Sequence, residues 1–442
     1  MIKRNLLDKL KDHLPKKEIS LIVGPRQAGK TTLMLLLKEY LEKRGEKTLF
    51  LNLDIESDNR FFSSQDLLVR KIQLELGREG GYVFIDEIQR KENAGLFLKG
   101  LYDMRLPYKF IVSGSGSLDL KEKIHESLVG RKRLFDLNPV SFQEFVNYKT
   151  GEKYYGNLQE FFDIEKEKVQ HLLSEYMNFG GYPRVVLEET IEEKRRTIDE
   201  IYRSYIEKDI AYFLKVEKLD AYGMLIKILA GQVGQMINYS ELANTIGLSV
   251  ATVKNYLHYG EATFIVRRVT PYFTNLRKEI TKSPIAYFYD LGLRNYSLGM
   301  FSQLYNPNDL GYVFENFVFN LLKEKFKFTG CSLHYWRTKD KSEVDIVIRC
   351  GSNLVPLEVK YKRFHKVQIE RSLRSFITRY NPKAAFVVTL DFEDSLQLER
   401  TTVFFIPFWR LYSLDFTSEV PGDPSRKRET TLDVKACKSE SI

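Results

Sequence analysis

The sequence predicts an α/β protein of several domains, and three observations support this prediction. The chain has 442 residues, which is too long for a single hydrophobic core. Up to about residue 145, short apolar runs alternate with stretches long enough for helices; the runs are EISLIV, KTLFLNL, YVFID and YKFIVS. Such alternation is typical of βαβ units around a parallel sheet. Residues 310–416 again mix helical and strand patterns, which indicates a second α/β unit.

The composition indicates a globular protein and narrows its location. Hydrophobic residues make up 43% of the chain, and the net charge is 68 − 59 = +9, which permits a polyanionic partner. The three cysteines are scattered without a CxxC pair, so we expect reduced thiols in a cytoplasmic protein. No signal peptide is visible, and the longest apolar runs fall short of the roughly 18 residues that span a bilayer. We therefore expect no membrane partner.

The stretch LIVGPRQAGKTTLMLLL reads as a strand, a glycine-rich turn and a helix. Gly24 and Gly29 would let backbone N–H groups close around phosphate oxygens, at the positive N-terminus of the following helix. Lys30 would reach the β- and γ-phosphates, and the Thr31 hydroxyl would ligate Mg²⁺. The alternative is a glycine-rich turn without a ligand. The order of strand, turn and helix favours the nucleotide site.

Two acids end the apolar strand YVFIDE, downstream of this loop. Asp86 would hold Mg²⁺ and Glu87 would activate the attacking water. The alternative is an acidic pair that caps the next helix. The run YKFIVSGSGS offers Ser113 or Ser115 as a contact to the γ-phosphate or the water. Arg131 in SLVGRKRLFDL would neutralise transition-state charge, in cis or from a neighbouring subunit, unless it is a solvated surface residue.

The middle of the chain is predicted to be helical over residues 151–235, followed by a winged-helix module over 236–305. The stretch SELANTIG would be a helix ended by Gly247, and Ser249 would cap a second helix. A hairpin with a basic tip follows. The alternative to DNA contact is a lid or protein-binding role. In the DNA interpretation the contacts come from Thr252, Lys254, Asn255, Arg277, Lys278 and Lys282.

Residues 342–362 read SEVDIVIRCGSNLVPLEVKYK, two apolar strands around the Gly351-Ser352 turn. This turn pairs Cys350 with Asn353 and brings Asp345 opposite Glu358, with Cβ atoms about 5 Å apart. Facing carboxylates repel each other unless a cation lies between them, so we predict a divalent metal site.

Two further residues would complete this site. Lys360 shares the face of Glu358 and would stabilise a nucleophile or a phosphate. Glu315 is an acid on the apolar stripe of the helix GYVFENFVFNLLKEK and could be a further ligand. The alternative is a set of salt bridges between these acids, Lys360 and nearby bases.

With these motifs assembled, the chain resembles a family of prokaryotic AAA+-type P-loop ATPases that carry a winged-helix region and a restriction-endonuclease-like PD-(D/E)XK domain. The markers are GPRQAGKTT, YVFIDE, VSGSGS, SLVGR, GGYP at 180–183 and SEVDIVI…LEVK. The resemblance implies an ATPase domain over 1–150 and a nuclease-like domain over 306–417, before a tail predicted to be disordered over 418–442. It implies ATP binding at Gly24, Gly29, Lys30, Thr31 and Thr32, with Asp86 and Glu87 as the acidic pair. We also expect nucleotide contacts from the other loop residues Pro25, Arg26, Gln27 and Ala28, and from Ser115.

For the C-terminal domain, the resemblance implies Mg²⁺ or Mn²⁺ ligation by Asp345 and Glu358, with Lys360 as the catalytic lysine and Glu315 as the helical acid. We therefore predict a Mg²⁺-dependent ATPase coupled to a DNA-binding, nuclease-like module. One alternative is a nucleotide-gated binding switch that cuts nothing, and a weaker one is a small-molecule kinase. The oligomeric state stays open, with a homo-oligomer among the alternatives.

Overall fold

The computed structural model describes residues 1–115, 127–205, 219–275, 279, 282–338, 340 and 342–416, without the Ser115 side chain. Arg277, Lys278 and the tail over 418–442, for which contacts or disorder were predicted, lie outside these residues.

The N-terminal domain contains a parallel sheet, as the sequence predicted. In the described part of the chain its order is β2-β3-β4-β1-β5, and every pairing is parallel. The strands are β1 (Ile19–Gly24), β2 (Thr48–Asn52), β3 (Gly81–Asp86), β4 (Tyr108–Ser115) and β5 (Lys132–Asp136). The first four coincide with the four apolar runs, whereas the edge strand β5 was not predicted.

Helices cover both faces of this sheet, because neighbouring strand residues point to opposite sides. Ile22 packs with the helices of one face, and Leu21 and Val23 pack with those of the other. The first face is covered by α1 (Leu6–His13) and α2 (Lys30–Glu42). The described connections also form α3 (Glu56–Asn59), α4 (Gln65–Leu76) and α5 (Ala94–Asp103), of which α4 and α5 pack on the second face.

The middle region is largely helical. Its helices are α6 (Phe142–Lys149), α7 (Leu158–Ile164), α8 (Lys166–Phe179), α9 (Pro183–Leu187), α10 (Ile191–Ser204), α11 (Leu219–Gly231), α12 (Tyr239–Ile246), α13 (Val250–Ala262) and α14 (Leu291–Ser297). Gly247 ends α12 with a φ of 67°, and the Ser249 side chain accepts a hydrogen bond from the Thr252 N–H at 3.1 Å. These two helix boundaries agree with the sequence prediction.

The predicted hairpin is present, but it does not stand free. Strands β6 (Val266–Val269) and β7 (Ile285–Phe288) pair antiparallel. Directly after β6, Pro271 bridges to Tyr335 of the C-terminal sheet, and the Tyr272 N–H donates to the Tyr335 carbonyl at 2.6 Å. The chain leaving β6 is therefore docked on the next domain. The identity of this region as a winged helix stays a prediction.

The C-terminal region is a mixed sheet between helices. Within the described residues its order is β12-β13-β11-β10-β9-β8. Strand β11 runs parallel to β10 and β13, whereas the other pairings are antiparallel. The elements are α15 (Pro307–Lys325), β8 (Ser332–Arg337), β9 (Glu343–Cys350), β10 (Asn353–Val359), α16 (Arg371–Tyr380), β11 (Ala384–Thr389), β12 (Asp394–Leu398) and β13 (Thr401–Pro407).

One hydrophobic core joins the middle and C-terminal regions. It contains buried side chains from Val140 to Phe416 and takes in one face of the C-terminal sheet, while α16 covers the other face. The Phe142 ring illustrates this continuity, since it packs edge-on against Phe317 and Phe408 with centroids 5.4 and 5.7 Å apart. Among the described helices, none has a stretch long and apolar enough to cross a membrane.

The expectation that all cysteines are reduced thiols is wrong for one pair. Cys331 and Cys350 form a disulfide, with Cα atoms 4.4 Å apart. The reason is strand pairing: Ser332 faces Arg349 across β8 and β9, so the flanking cysteines become neighbours. Their separation of 19 residues in the chain carried no recognisable signal. Cys437 lies outside the described residues.

Candidate nucleotide site and C-terminal carboxylate cluster

The loop between β1 and α2 requires both of its glycines. Gly29 has a φ of +92°, which L-residues with side chains rarely adopt. A Cβ on Gly24 would lie 2.1 Å from the Leu137 carbonyl oxygen. The Lys30 side chain is 5% exposed, and its ammonium donates to the carbonyls of Gly24 and Pro25 at 3.1 and 2.8 Å. The loop and the lysine therefore form one compact unit at the N-terminus of α2.

Asp86 is the centre of the acidic side of this site. The Thr31 hydroxyl donates to Asp86 Oδ2 at 2.7 Å, and the Ser113 hydroxyl donates to Oδ1. The Glu87 N–H also donates to Oδ1, at 3.1 Å. These residues meet because the carboxyl ends of the adjacent parallel strands β1, β3 and β4 lie at one edge of the sheet. Ser113, one of the two candidate serines, therefore reaches this acid.

Glu87 follows Asp86 in a left-handed conformation, with a φ of 57°. Burial raises its pKa; Lys30 opposes this effect, and the Asp86 carboxylate adds to it. The Gln89 amide donates to Glu87 Oε2. Glu87 makes no side-chain cap to the short helix that follows, so the helix-capping alternative has no hydrogen bond to support it. A raised pKa makes this carboxylate a stronger base than an exposed glutamate.

Arg131 lies too far away to act on this site in cis. Its carbonyl accepts a hydrogen bond from Ile19 at the first residue of β1, whereas the phosphate loop follows the last residue, Gly24. The five residue steps from Ile19 to Gly24 separate these ends by about 16 Å. The Arg131 guanidinium instead pairs with Asp103, with Nε and Oδ1 2.8 Å apart. Only a contribution from a neighbouring subunit stays a prediction.

Sequence reasoning missed two residues that contact the loop from other parts of the chain. Arg184 at the start of α9 donates to the Gln27 side chain at 3.2 Å and pairs with Glu200 at 3.0 Å. The preceding Gly181 N–H donates to Asp290 at 2.7 Å, which fixes the GGYP segment. In the sequence, GGYP was identified only as a marker of the family resemblance. The basic residue directly after it, Arg184, was the feature that could have indicated this contact.

Arg4 is a second missed residue, and it lies on the other side of the loop. Its guanidinium donates to the Ala28 carbonyl at 3.0 Å and to Glu144 at 3.1 Å. The phosphate loop is therefore tied to α6, through a residue near the N-terminus that no local pattern identified.

The C-terminal hairpin has the predicted register. Cys350 faces Asn353, and the pairing continues to Ile346 opposite Leu357. The next residues in this register are Asp345 and Glu358. Asp345 Oδ2 accepts a hydrogen bond from the Val359 N–H at 2.7 Å, so its carboxylate points toward β10. The sequence thus predicted the juxtaposition of the two strands correctly.

Lys360 is the main counter-charge of this cluster. Its ammonium lies 3.0 Å from Glu358 Oε2 and 3.2 Å from Glu370 Oε1. Burial alone would lower the pKa of Lys360, but Asp345, Glu358 and Glu370 raise it above its usual value. These ion pairs are those of the salt-bridge alternative, and Glu370 had not been predicted.

The acids are nevertheless not fully compensated. Burial, and then the neighbouring Asp345, hold the pKa of Glu358 well above its usual range. Burial also raises the pKa of Asp345, while Lys360 opposes this shift. Glu358 Oε1 is buried without a hydrogen-bond partner. Buried carboxylates of this kind retain a proton or require a cation.

Glu315 closes the cluster from α15. It accepts a hydrogen bond from the Tyr287 hydroxyl of β7, and burial followed by Asp345 raises its pKa well above the usual range. A Cβ on Gly234 would lie 2.8 Å from Glu315 Oε1, so this glycine leaves room for the carboxylate.

The side chains of this cluster are of the type that binds a hard divalent cation, but they are not gathered closely enough around one point. Carboxylate oxygens are the ligands that Mg²⁺ and Mn²⁺ prefer. Glu358 Oε1, which has no hydrogen-bond partner, is available as such a ligand. However, the part of the chain that the structure describes holds no group of three or more His, Cys, Asp or Glu side chains gathered for a metal. Metal ligation by Glu315, Asp345 and Glu358 therefore stays a prediction.

Some of the predicted DNA contacts are accessible. Lys254 and Asn255 on α13 are exposed, and so is Lys282 in the connection between β6 and β7. Thr252 is half-buried, and its hydroxyl lies 2.8 Å from that of Ser249 within the helix cap. Arg277 and Lys278 lie outside the described residues.

Three sequence families match the chain. An AAA domain matches residues 16–146, and two domains of unknown function, DUF8612 and DUF4143, match residues 170–304 and 310–411. Together with the parallel sheet and the loop geometry, the first match makes the N-terminal domain a P-loop domain of the AAA type.

The chain is also similar to several uncharacterized proteins. One from Mycobacterium tuberculosis is 27% identical over 377 residues, which are 84% of this chain and 76% of the relative. One from Haemophilus influenzae is 27% identical over 357 residues, 78% of this chain and 82% of the relative. One from Methanocaldococcus jannaschii is 25% identical over 418 residues, 90% of this chain and 88% of the relative.

Solved structures with weak similarity to the chain include AMPPCP-bound DnaA from Aquifex aeolicus and Cdc6p from Pyrobaculum aerophilum. The first is 16% identical with a TM-score of 0.26 and covers 58% of this chain and 86% of its own. The second is 10% identical with a TM-score of 0.28 and covers 68% and 95%.

Proposed function

We propose that the N-terminal domain binds and hydrolyses ATP with Mg²⁺. The observation that supports this most strongly is the hydrogen bond between Thr31 and Asp86, 2.7 Å long, directly beside the loop that holds Lys30. Thr31 and Asp86 would hold the ion, whose charge offsets that of the β- and γ-phosphates. The Lys30 ammonium would exchange its two carbonyl partners for phosphate oxygens, which are stronger, charged acceptors.

Glu87 is proposed as the base that orients the attacking water and accepts its proton. Its raised pKa suits this role, and the Gln89 amide fixes one of its carboxylate oxygens. A small-molecule kinase would position a substrate hydroxyl here instead; we rank it lower because a base beside the metal-binding acid suits activation of water.

Arg184 is proposed to report the nucleotide state to the helical region. It contacts Gln27 in the loop and belongs to α9, so a movement of the loop would be felt outside the ATPase domain. Asp290 anchors the segment before it through the Gly181 N–H.

The test is phosphate release by Lys30→Ala, with Lys38→Ala as the matched control. Lys38 lies on the same helix but pairs with Glu42 at the surface. We expect Lys30→Ala to lose ATP turnover at least about 100-fold while its circular dichroism stays unchanged. Turnover at the wild-type rate in Lys30→Ala would refute the assignment.

We propose further that the C-terminal domain acts on DNA phosphodiester bonds with Mg²⁺ or Mn²⁺. The supporting observation is the buried Glu358 oxygen without a partner, next to Asp345 and Lys360. When bound, the cation supplies Lewis-acid stabilisation at the scissile phosphate. Asp345 and Glu358 would hold it, and Lys360 would turn from its ion pairs toward the phosphate or the nucleophile.

The competing proposal is a nucleotide-gated switch that binds DNA or protein without cutting. Purified protein would be incubated with plasmid and linear DNA, with Mg²⁺ or Mn²⁺, with and without ATP. Strand breaks that vanish in Lys360→Ala would support the nuclease. Intact DNA in every reaction, with ATP still consumed, would favour the switch.

A further inference from the structure

A cavity of about 370 Å³ lies where three parts of the molecule meet. Its walls come from the N-terminal helix α1, the segment between β5 and α6, strand β6, the residue after β7 and the long helix α15. A volume of this size falls at the lower end of the range for small-molecule sites, which suits a ligand no larger than a mononucleotide.

Most charged groups of this cavity already have partners. Arg4 pairs with Glu144 at 3.1 Å, and the Lys325 ammonium donates to a backbone carbonyl. The acids are engaged as well: Glu324 accepts from the Asn138 amide at 3.1 Å, and Asp136 pairs with Lys327 at 3.7 Å. These groups hold the walls together and leave little charge for a ligand.

Three cations of the cavity have no ion pair among the described residues: the exposed Lys9 on α1, and Arg267 and Lys323, which lie near each other. Arg267 lies over the Tyr289 ring, 4.0 Å from its centroid, and within the described residues it contacts no carboxylate. Lys323 likewise has no ion pair among the described residues, although its neighbour Glu324 is an acid. Lys323 is exposed at the cavity rim, and its pKa is lowered by partial desolvation and then by the positive charge of Arg267. Two like charges are therefore held near each other without a counter-ion.

We propose that this cavity binds a small phosphorylated molecule whose phosphate lies between Arg267 and Lys323. Both side chains line the cavity, and a dianionic phosphate would relieve the repulsion between them. The Arg267–Tyr289 stack offers a flat surface against which a planar ring can pack. The ligand class is thus a mononucleotide or a phosphorylated metabolite of similar size.

The position of the cavity suggests what this ligand would control. Arg4 lines the cavity and also donates to the Ala28 carbonyl in the phosphate loop. A ligand that shifts Arg4 would shift the loop, so this site would regulate the ATPase. This second step rests on the proposed ATP hydrolysis, whereas binding itself does not.

Binding would be measured by titration calorimetry of the full chain with inorganic pyrophosphate and with AMP, after the phosphate loop is saturated with Mg²⁺ and a non-hydrolysable ATP analogue. We expect Lys323→Ala to weaken binding at least about tenfold, and Lys323→Arg to retain it. Lys227→Ala is the matched control, since Lys227 is an exposed lysine on α11 outside the cavity.

Three results would overturn the proposal: no binding of either probe by the wild-type protein, equal affinity in Lys323→Ala, or an equal loss in Lys227→Ala. The last would indicate general charge screening. ATP turnover, measured separately with Lys30→Ala, distinguishes a failure of this inference from a failure of the ATPase assignment.

Discussion

Asp86 and Glu358 are both buried acids at the ends of central strands, 0% and 2% exposed, but their surroundings differ. Asp86 accepts hydrogen bonds from two hydroxyls and one backbone N–H. Glu358 has a lysine on one oxygen, no hydrogen-bond partner on the other, and a second carboxylate as its neighbour. The first site is satisfied before any ligand arrives, whereas the second keeps negative charge that a proton or a cation must offset.

The largest expected effect concerns the satisfied site. Glu87→Gln should lower ATP turnover by about 100-fold or more while ATP still binds, because the amide keeps the shape but cannot accept the proton. Phosphate release and equilibrium nucleotide binding would be measured on the same preparation. Glu92→Gln, an exposed acid beyond the turn, is the control. Joint loss of binding and turnover would contradict the assigned role.

A second substitution tests how rigidly the surroundings of this site are built. At Gly180 the φ is +75° and a Cβ would lie 2.3 Å from Asp290 Oδ1, so Gly180→Ala should destabilise the fold by about 3 kcal/mol. Gly299 has a similar φ of +73° but open space around it, and Gly299→Ala should cost only about 1 kcal/mol. Urea unfolding of both variants measures these losses of unfolding free energy. Equal losses would show that the positive φ alone, and not the clash with Asp290, determines the cost.

The carboxylate cluster around Glu358 should make both stability and cation binding depend on pH. Because the folded-state pKa values of Glu315 and Glu358 are raised, their neutral forms favour the fold at low pH, and this stability is lost as the pH rises through those values. A divalent cation should reverse this by displacing a proton. We expect Mn²⁺ to bind more tightly as the pH rises and to release about one proton per ion.

Calorimetry in two buffers of different ionisation enthalpy measures that release. The titration is best made in the Lys30→Ala background without nucleotide, with Glu358→Gln as the comparison. Heats that do not depend on the buffer, or the same release in Glu358→Gln, would show that this carboxylate cluster does not exchange protons for a cation.

The smallest expected effect is that of Arg131→Ala. The Arg131–Asp103 pair is partly exposed, and its loss should lower stability by less than about 1 kcal/mol. At low protein concentration the turnover per chain should stay within about twofold of wild type, since the guanidinium cannot reach the site of its own chain. A deficit that develops only at higher concentration would reveal a contribution to a neighbouring subunit.

Local patterns predicted much of both sites because they depend on neighbours in sequence. The glycine spacing identified the loop at Gly29 and Lys30, and the Gly351-Ser352 turn identified the hairpin register. Contacts such as Arg4 with Glu144, or Gly181 with Asp290, span more than 100 residues, and no periodicity encodes them. The Cys331–Cys350 disulfide was also missed, although its cysteines are only 19 residues apart, because it follows from the pairing of β8 with β9 and from no local pattern.

The continuous core from Val140 to Phe416 has a mechanical consequence. Close-packed interiors are stiff, so we expect the middle and C-terminal regions to move together and not as independent domains. At one end the chain reaches the phosphate loop, where the Pro183 ring approaches Gly29. At the other end it forms the hairpin that contains Asp345. A displacement that the proposed nucleotide turnover causes at the loop would be passed to the hairpin through this shared core.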